Sequence, residues 1–257
     1  MRSVFLFLIL SLSVSVNAQQ KQSLKERPLI YFSMGTQRAI YTPSAIHFVS
    51  EKGQPSFDFT IDKAKAQDKG GLSFSGDAPQ YAYNFGFYSP RKKWGLEFQF
   101  DHLKYIMHSN QTLHLKGNIN GRQIDKDTLV SPDFIQFEHT DGNNYAMINF
   151  VKEKTLAASK NQKRFLDLIM KAGAGPVIPK TNSTIMGTKF DDEYAVSGFV
   201  IGFESGLRYN FFRYAFVTAT IKGAYANYSH FVIANGHGNQ QWLSGQVNVM
   251  AGIQVPL

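Results

Sequence analysis

A histidine and a carboxylate two residues apart on an extended chain could do proton-transfer chemistry, and "FEHTDGNN" (Phe137 to Asn144) offers that arrangement. Alternate residues of a β-strand point the same way, so His139, Asp141 and Asn143 are expected on one face. A histidine oriented by a carboxylate or an amide is the base half of a hydrolytic triad. The nucleophile is missing: Thr140 is the nearest hydroxyl, and on a regular strand it belongs to the opposite face. The competing expectation is structural. Gly142 would bend the strand as a bulge, with the polar residues around it satisfying one another.

Other groupings are weaker. His102, His108, His114, His139 and His230 could gather at one rim as imidazole ligands, but no helical His spacing supports a metal site. "FDDEY" (Phe190 to Tyr194) groups three carboxylates that could hold a hard cation, and reads first as a solvated acidic loop. Asp58, Asp62 and Asp68 lack the calcium-loop register. "GLSFSG" misses a nucleophile elbow because Ser75 stands where glycine is needed. With no phosphate-cradling glycine loop or dinucleotide fingerprint, neither a cofactor nor a metal is expected.

The elements that must position these residues are strands. "WGLEFQFD" (Trp94 to Asp101) alternates bulky apolar residues with glycine, glutamate, glutamine and aspartate. The pattern recurs in "QYAYNFGFY" from Gln80, "FVIGFESGLRYNF" from Phe199, "FVTATIKGAYANY" from Phe216 and "SGQVNVMAGIQVPL" from Ser244. Segments near 29–41, 134–151 and 165–175 follow it less cleanly. The apolar faces run for about ten residues, the length of a tilted strand crossing a bilayer. The opposite faces collect Glu97, Gln99, Asp101, Asp167, Lys171, Glu204, Arg208 and Lys222 among glycines. Glycines there suggest a crowded, curved interior in which a polar network packs on itself. Four acids against three bases would neutralise one another, as buried charges require. A wide pore is not expected, because eight strands enclose room only for side chains.

Short turns at "SPRKK" (Ser89 to Lys93), "AASKNQ" and "NFFR" (Asn210 to Arg213) alternate with longer polar links over 42–79, 108–132, 180–194 and 234–240. Pieces of the first link, "AIHFVS" and "FDFTIDKAKA", are strand-like and could extend the barrel above the membrane. The reading is an all-β, single eight-stranded antiparallel up-and-down transmembrane β-barrel, with short periplasmic turns and long extracellular loops. Residues 1–18 have the layout of a signal peptide: Arg2, an apolar run from Val4, and "VNA" before the cleavage point. Residues 19–27 are then an N-terminal periplasmic segment and 28–257 the barrel. No apolar run after the signal approaches the roughly 20 residues of a spanning helix. The absence of cysteine excludes a lipid-modified first cysteine and a disulfide scaffold, and 14% aromatics suit a Gram-negative envelope. The formal charge of +8 is scattered, which argues against nucleic acid and for anionic lipid headgroups.

From the signal to the last strand the chain resembles small eight-stranded outer-membrane β-barrel proteins, in particular uncharacterised barrel proteins of Bacteroidota-type bacteria. "PQYAYNFGFYSPRKKWGLEFQFDHLKY", "FEHTDGNNYAMINFV", "KAGAGPVIPKT" and the final "AGIQVPL" carry the resemblance. Leu257, where an aromatic is usual, departs from the assembly signal of such barrels. The resemblance implies the cell outer membrane, with its lipid, lipopolysaccharide and barrel-assembly machinery as partners. It also implies a structural or surface-binding role through the loops. Two other expectations stand beside it. One is a rim hydrolase of lipid A or phospholipid acyl groups using His139. Some barrel-borne lipid A deacylases carry His followed by Ser and Asn, whereas this chain has Thr140 and Asp141. The other is a soluble, exported lipocalin-like binder.

Overall fold

The computed structural model describes residues 27–50, 55–68, 80–160, 164–191 and 194–257. The expected signal peptide (1–18), "GLSFSG", and Asp192 and Glu193 of "FDDEY" lie outside these residues. In chain order the strands are β1 (Leu29–Tyr41), β2 (Ser44–Ser50), β3 (Phe57–Ala64), β4 (Ala66–Gln67), β5 (Tyr81–Ser89), β6 (Trp94–Met107), β7 (Gln111–Ile119), β8 (Arg122–Val130), β9 (Ile135–Ala158), β10 (Phe165–Pro179), β11 (Asn182–Ile185), β12 (Thr188–Asp191), β13 (Gly198–Asn210), β14 (Ala215–Ile233) and β15 (Gly236–Pro256).

Eight of these strands close a ring in the order β1-β5-β6-β9-β10-β13-β14-β15. All neighbours are antiparallel, and β15 pairs back on β1 from Leu29↔Pro256 to Tyr41↔Ser244. Closure leaves no free edge within the ring. The alternation read in the sequence fixes which way each side chain points. Phe32, Phe85, Phe98, Phe203, Val249 and Ile253 are exposed on the outside. Glu97, Asp101, Lys171, Glu204, Arg208 and Lys222 are buried within. A water-soluble β-barrel would show the reverse.

The long polar links are more regular than expected. β2 and β3 form a hairpin, and β2 hydrogen-bonds to the upper end of β15, His237↔Val49 among its pairs. β3 passes the sheet on to β7 and β8. β11 adds to β9 and pairs with β12, while β4 pairs with β6. The stretch 234–240, expected as a link, is mostly strand: β15 begins at Gly236 and pairs with β14 as far as Ile233. β6, β9, β14 and β15 are therefore longer than a membrane crossing needs, and their upper ends belong to an extension.

That extension has an ordinary core. Ile46, Phe48, Phe59 and Ile61 pack with Leu115, Ile135, Phe137 and Phe231 in one buried cluster. The chain thus combines an inverted lower ring, apolar outside and polar within, with an upper portion whose apolar side chains face inward.

Candidate functional site

The interior of the lower ring is a connected set of charges. Lys171 on β10 holds Glu97 of β6 at 2.8 Å and Glu204 of β13 at 3.2 Å. Gln99 donates to Glu204 at 3.0 Å and to Asp101 at 3.1 Å, and Asn149 donates to Gln99 at 2.7 Å. Lys222 of β14 reaches across to Asp101. The Tyr31 hydroxyl donates to Glu97 at 2.8 Å. Nearer the short turns, Arg208 pairs with Glu153 and lies over the rings of Tyr31 and Phe216 at 4.7 and 4.3 Å. Asp167 accepts from Asn210 at 2.8 Å, and Gln254 in turn donates to Asn210. All eight side chains expected to line the interior are buried in it.

Glycine permits this crowding. A Cβ on Gly86 would meet the Tyr31 ring, and one on Gly252 would meet the Phe216 ring. Those two rings meet edge to face, 6.1 Å apart at 80°, and both adjoin the Arg208 guanidinium, so the small residues leave room for the cation and its aromatic neighbours.

Above the charged layer the interior becomes aromatic. Tyr105 and Tyr228 each stack on Trp242 at 4.5 Å, and His139 stacks on Tyr228 at 5.3 Å. The Trp242 indole donates to the Tyr145 hydroxyl at 3.2 Å. Gln240 donates to the Tyr105 hydroxyl at 2.6 Å and to Ser44 at 2.8 Å. This layer joins the apolar core of the extension directly above it.

The three residues expected to share a face do not. His139 and Asn143 are inside the barrel, whereas the Asp141 side chain is 58% exposed and bound to Lys180 at 2.9 Å. The cause is a break in alternation: Gly142 has a φ of 154°, and the β6–β9 register slips between Leu103 and Tyr105. Two steps along β6 there correspond to four along β9, and the two extra residues of β9 let Asp141 turn outward while His139 and Asn143 stay inside. His139 Nδ1 lies 3.2 Å from Thr181 Oγ1, Nε2 has no partner, and the Asn143 amide oxygen accepts from Tyr228. Desolvation lowers the His139 pKa to about 3, so the ring is neutral. A neutral imidazole sealed among aromatic rings has no carboxylate to orient it and no route to a substrate at the rim.

The histidines expected at a common rim are also apart. His114 sits on the β7–β8 hairpin, 3.0 Å from Asp127 and 2.9 Å from Asp125, and the hydrogen bond to Asp127 raises its pKa. His230 stacks on His237. Among the described residues no group of three potential ligands converges on a metal position.

Sequence reasoning passed over Glu153, Asn149 and the aromatic layer. Glu153 was accessible to it: in "VKEKT" the alternation continues past Val151, putting Lys152 and Lys154 outside and Glu153 inside. The aromatic layer was not, because Tyr105, Tyr145 and Tyr228 look in isolation like the tyrosines of an outer face.

No protein-family model matches the sequence, and no curated relative is detected. Among solved structures the chain is similar to Neisserial surface protein A, with 8% identity over 90% of this chain and 97% of that one, at a TM-score of 0.34. It is similar to the outer membrane protein OprG from Pseudomonas aeruginosa, with 10% identity over 90% and 97% of the two chains, at 0.37. It is also similar to Ail, the attachment invasion locus protein of Yersinia pestis, with 12% identity over 90% and 99%, at 0.33. The barrel itself rests on the closed ring of strands and does not draw on these likenesses.

Proposed function

We propose that this chain is an outer-membrane β-barrel whose interior is sealed and whose strand extension is the surface it presents outside the cell. One observation carries the reading: the ring wears its large apolar side chains outward while its ionic network is buried. Phe85, Phe98 and Val249 are 58%, 44% and 53% exposed, against 1% for Glu97 and 2% for Glu204. In water such an apolar surface would be a severe liability. Against acyl chains it is the ordinary outer face of a transmembrane barrel.

Polarity along the barrel axis supports the orientation. One end carries the short β5–β6, β9–β10 and β13–β14 connections, and the other carries the extension built by β2, β3, β7, β8, β11 and β12. Short turns belong to the periplasmic side of such barrels and long excursions to the outside. Acyl chains and outer-leaflet lipopolysaccharide are then the immediate surroundings of the ring, and insertion calls for the barrel-assembly machinery of the envelope. The extension, with its own core and exposed hairpin tips, suits adhesion or partner binding rather than transport.

The test is fractionation of the producing cell together with gel mobility of the unheated and heated protein. Recovery in outer membranes after high-salt washing, with a mobility that changes on heating, is the expected outcome. Recovery in the soluble periplasmic fraction would restore the lipocalin-like reading and end this one.

A further inference from the structure

The turn end of the barrel is basic on its outside. Arg91, Lys92 and Lys93 in the β5–β6 turn, Lys152 and Lys154 on β9, and Arg164 before β10 are all exposed. The acids of that rim point inward: Glu153 is paired with Arg208, and Asp167 accepts from Asn210. Among the described residues no acid forms an ion pair with Lys92, Lys93, Lys152 or Lys154. On the extension, Lys116 and Lys180 do have acidic partners, Asp125 for the first and Asp141 and Asp191 for the second.

These four lysines line one cleft of about 1030 Å³ together with Trp94, Phe150 and Phe212 on its outer side, and with Glu153 and Asp167 on its inner side, where the two carboxylates are already held by Arg208 and Asn210. The Trp94 and Phe150 rings are stacked at 6.2 Å and 10°, and the Lys152 ammonium lies 6.0 Å from the Phe150 ring centre. The pairs Gly95↔Val151 and Leu96↔Phe150 set Trp94 and Lys152 at the level where the outer face changes from apolar to charged. Like charges on adjoining strands repel, so the cleft favours an anion between them. Aromatic rings directly below favour a molecule that is apolar on that side.

We propose that this cleft binds the headgroup of an anionic phospholipid, its phosphate among Lys92, Lys93, Lys152 and Lys154 and its acyl chains along the Leu96–Phe150 face. The assignment rests on the membrane reading above and adds the identity of the lipid. A soluble acidic polymer would use the lysines but leave the stacked rings without a role.

Tryptophan emission tests it. The chain has two tryptophans, and Trp242 is buried inside the barrel, so a Trp94→Phe baseline isolates the signal of Trp94. The full chain is folded into phosphatidylcholine–phosphatidylglycerol vesicles with brominated chains on one lipid or the other. Brominated phosphatidylglycerol should quench Trp94 at least about threefold more than its mole fraction predicts, given the attraction of each surface lysine for an anionic leaflet. The excess should shrink in 1 M salt, where screening is strong. It should vanish in the Lys92→Gln, Lys93→Gln, Lys152→Gln, Lys154→Gln variant and persist when the same four positions carry arginine.

Quenching by both lipids in proportion to their amounts would overturn the proposal, as would a preference that survives the glutamine variant. No quenching by either lipid would instead overturn the membrane reading beneath it. Should the glutamine variant fail to insert, the salt titration of the wild type still decides.

Discussion

At the scale of single residues, neighbours in sequence stand in opposite solvents. Phe98 touches the outside and Glu97 the ionic interior. Phe98→Arg places a charge against acyl chains and should cost about 2–4 kcal/mol if measured by reversible unfolding in vesicles, the range for basic residues at a bilayer midplane. Glu97→Ala acts through the interior. It strips Lys171 of one of two carboxylates and Tyr31 of its acceptor. Breaking a buried pair from one side should cost about 3–5 kcal/mol in the same assay. His139 gives a pH dependence. Its folded pKa, near 3, lies below the unfolded value of about 6.5. The unfolded chain therefore binds the extra proton, and stability is full above about pH 6.5 and falls as the pH drops towards 3. Between pH 6.5 and 5 the loss should be roughly 2 kcal/mol. Unfolding of wild type and His139→Phe at both pH values checks this: a loss of equal size in the variant would assign it to other groups.

At the scale of elements, the membrane strands were legible because the bilayer imposes a period of two along each of them. The C-terminal strand and those beginning near Trp94, Phe199 and Phe216 could be oriented residue by residue. The extension was hidden by its own chemistry. β7 and β8 read "TLHLKGN" and "RQIDKDTLV", with polar residues on a solvent face that look like loop. The overlooked signal was Asn120-Gly121 between them. Both have positive φ, 52° and 78°, the two-residue turn that an Asn-Gly pair forms in hairpins. The expected common face of His139, Asp141 and Asn143 was lost for a related reason, since the bulge around Gly142 turns Asp141 alone outward and no periodicity announces it. The hairpin yields its own prediction. Gly121→Val forces a β-branched residue into left-handed geometry and should cost about 1–3 kcal/mol. The loss should stay local: limited proteolysis should cut the β7–β8 hairpin sooner, while the heat-dependent gel shift of the ring is unchanged.

At the scale of the whole molecule, the question is whether the ring is a conduit. The interior carries Glu97, Asp101, Glu153, Asp167 and Glu204 against Lys171, Arg208 and Lys222. Its acids therefore outnumber its bases, a balance that would attract cations if a path existed. Two layers oppose one. Across the charged layer, Lys171 and Lys222 tie β6, β10, β13 and β14 together through side chains that meet at hydrogen-bond distance. Above it, Tyr105, Trp242 and Tyr228 stack at 4.5 Å spacing under the apolar core of the extension. An ion would have to break the first layer and then shed its water to pass the second, where burial of an unpaired charge is prohibitive. Eight strands leave no spare width around these side chains. The reconstituted full chain should therefore give no stepwise conductance in planar bilayers at either polarity. Trp242→Ala with Tyr105→Ala, which empties the aromatic layer, should still conduct poorly, because the ionic layer beneath it remains. Adding Lys171→Ala and Lys222→Ala should open a cation-selective leak, since the acids stay behind. Steady conductance by the wild type would refute the sealed interior, whatever the selectivity of the variants.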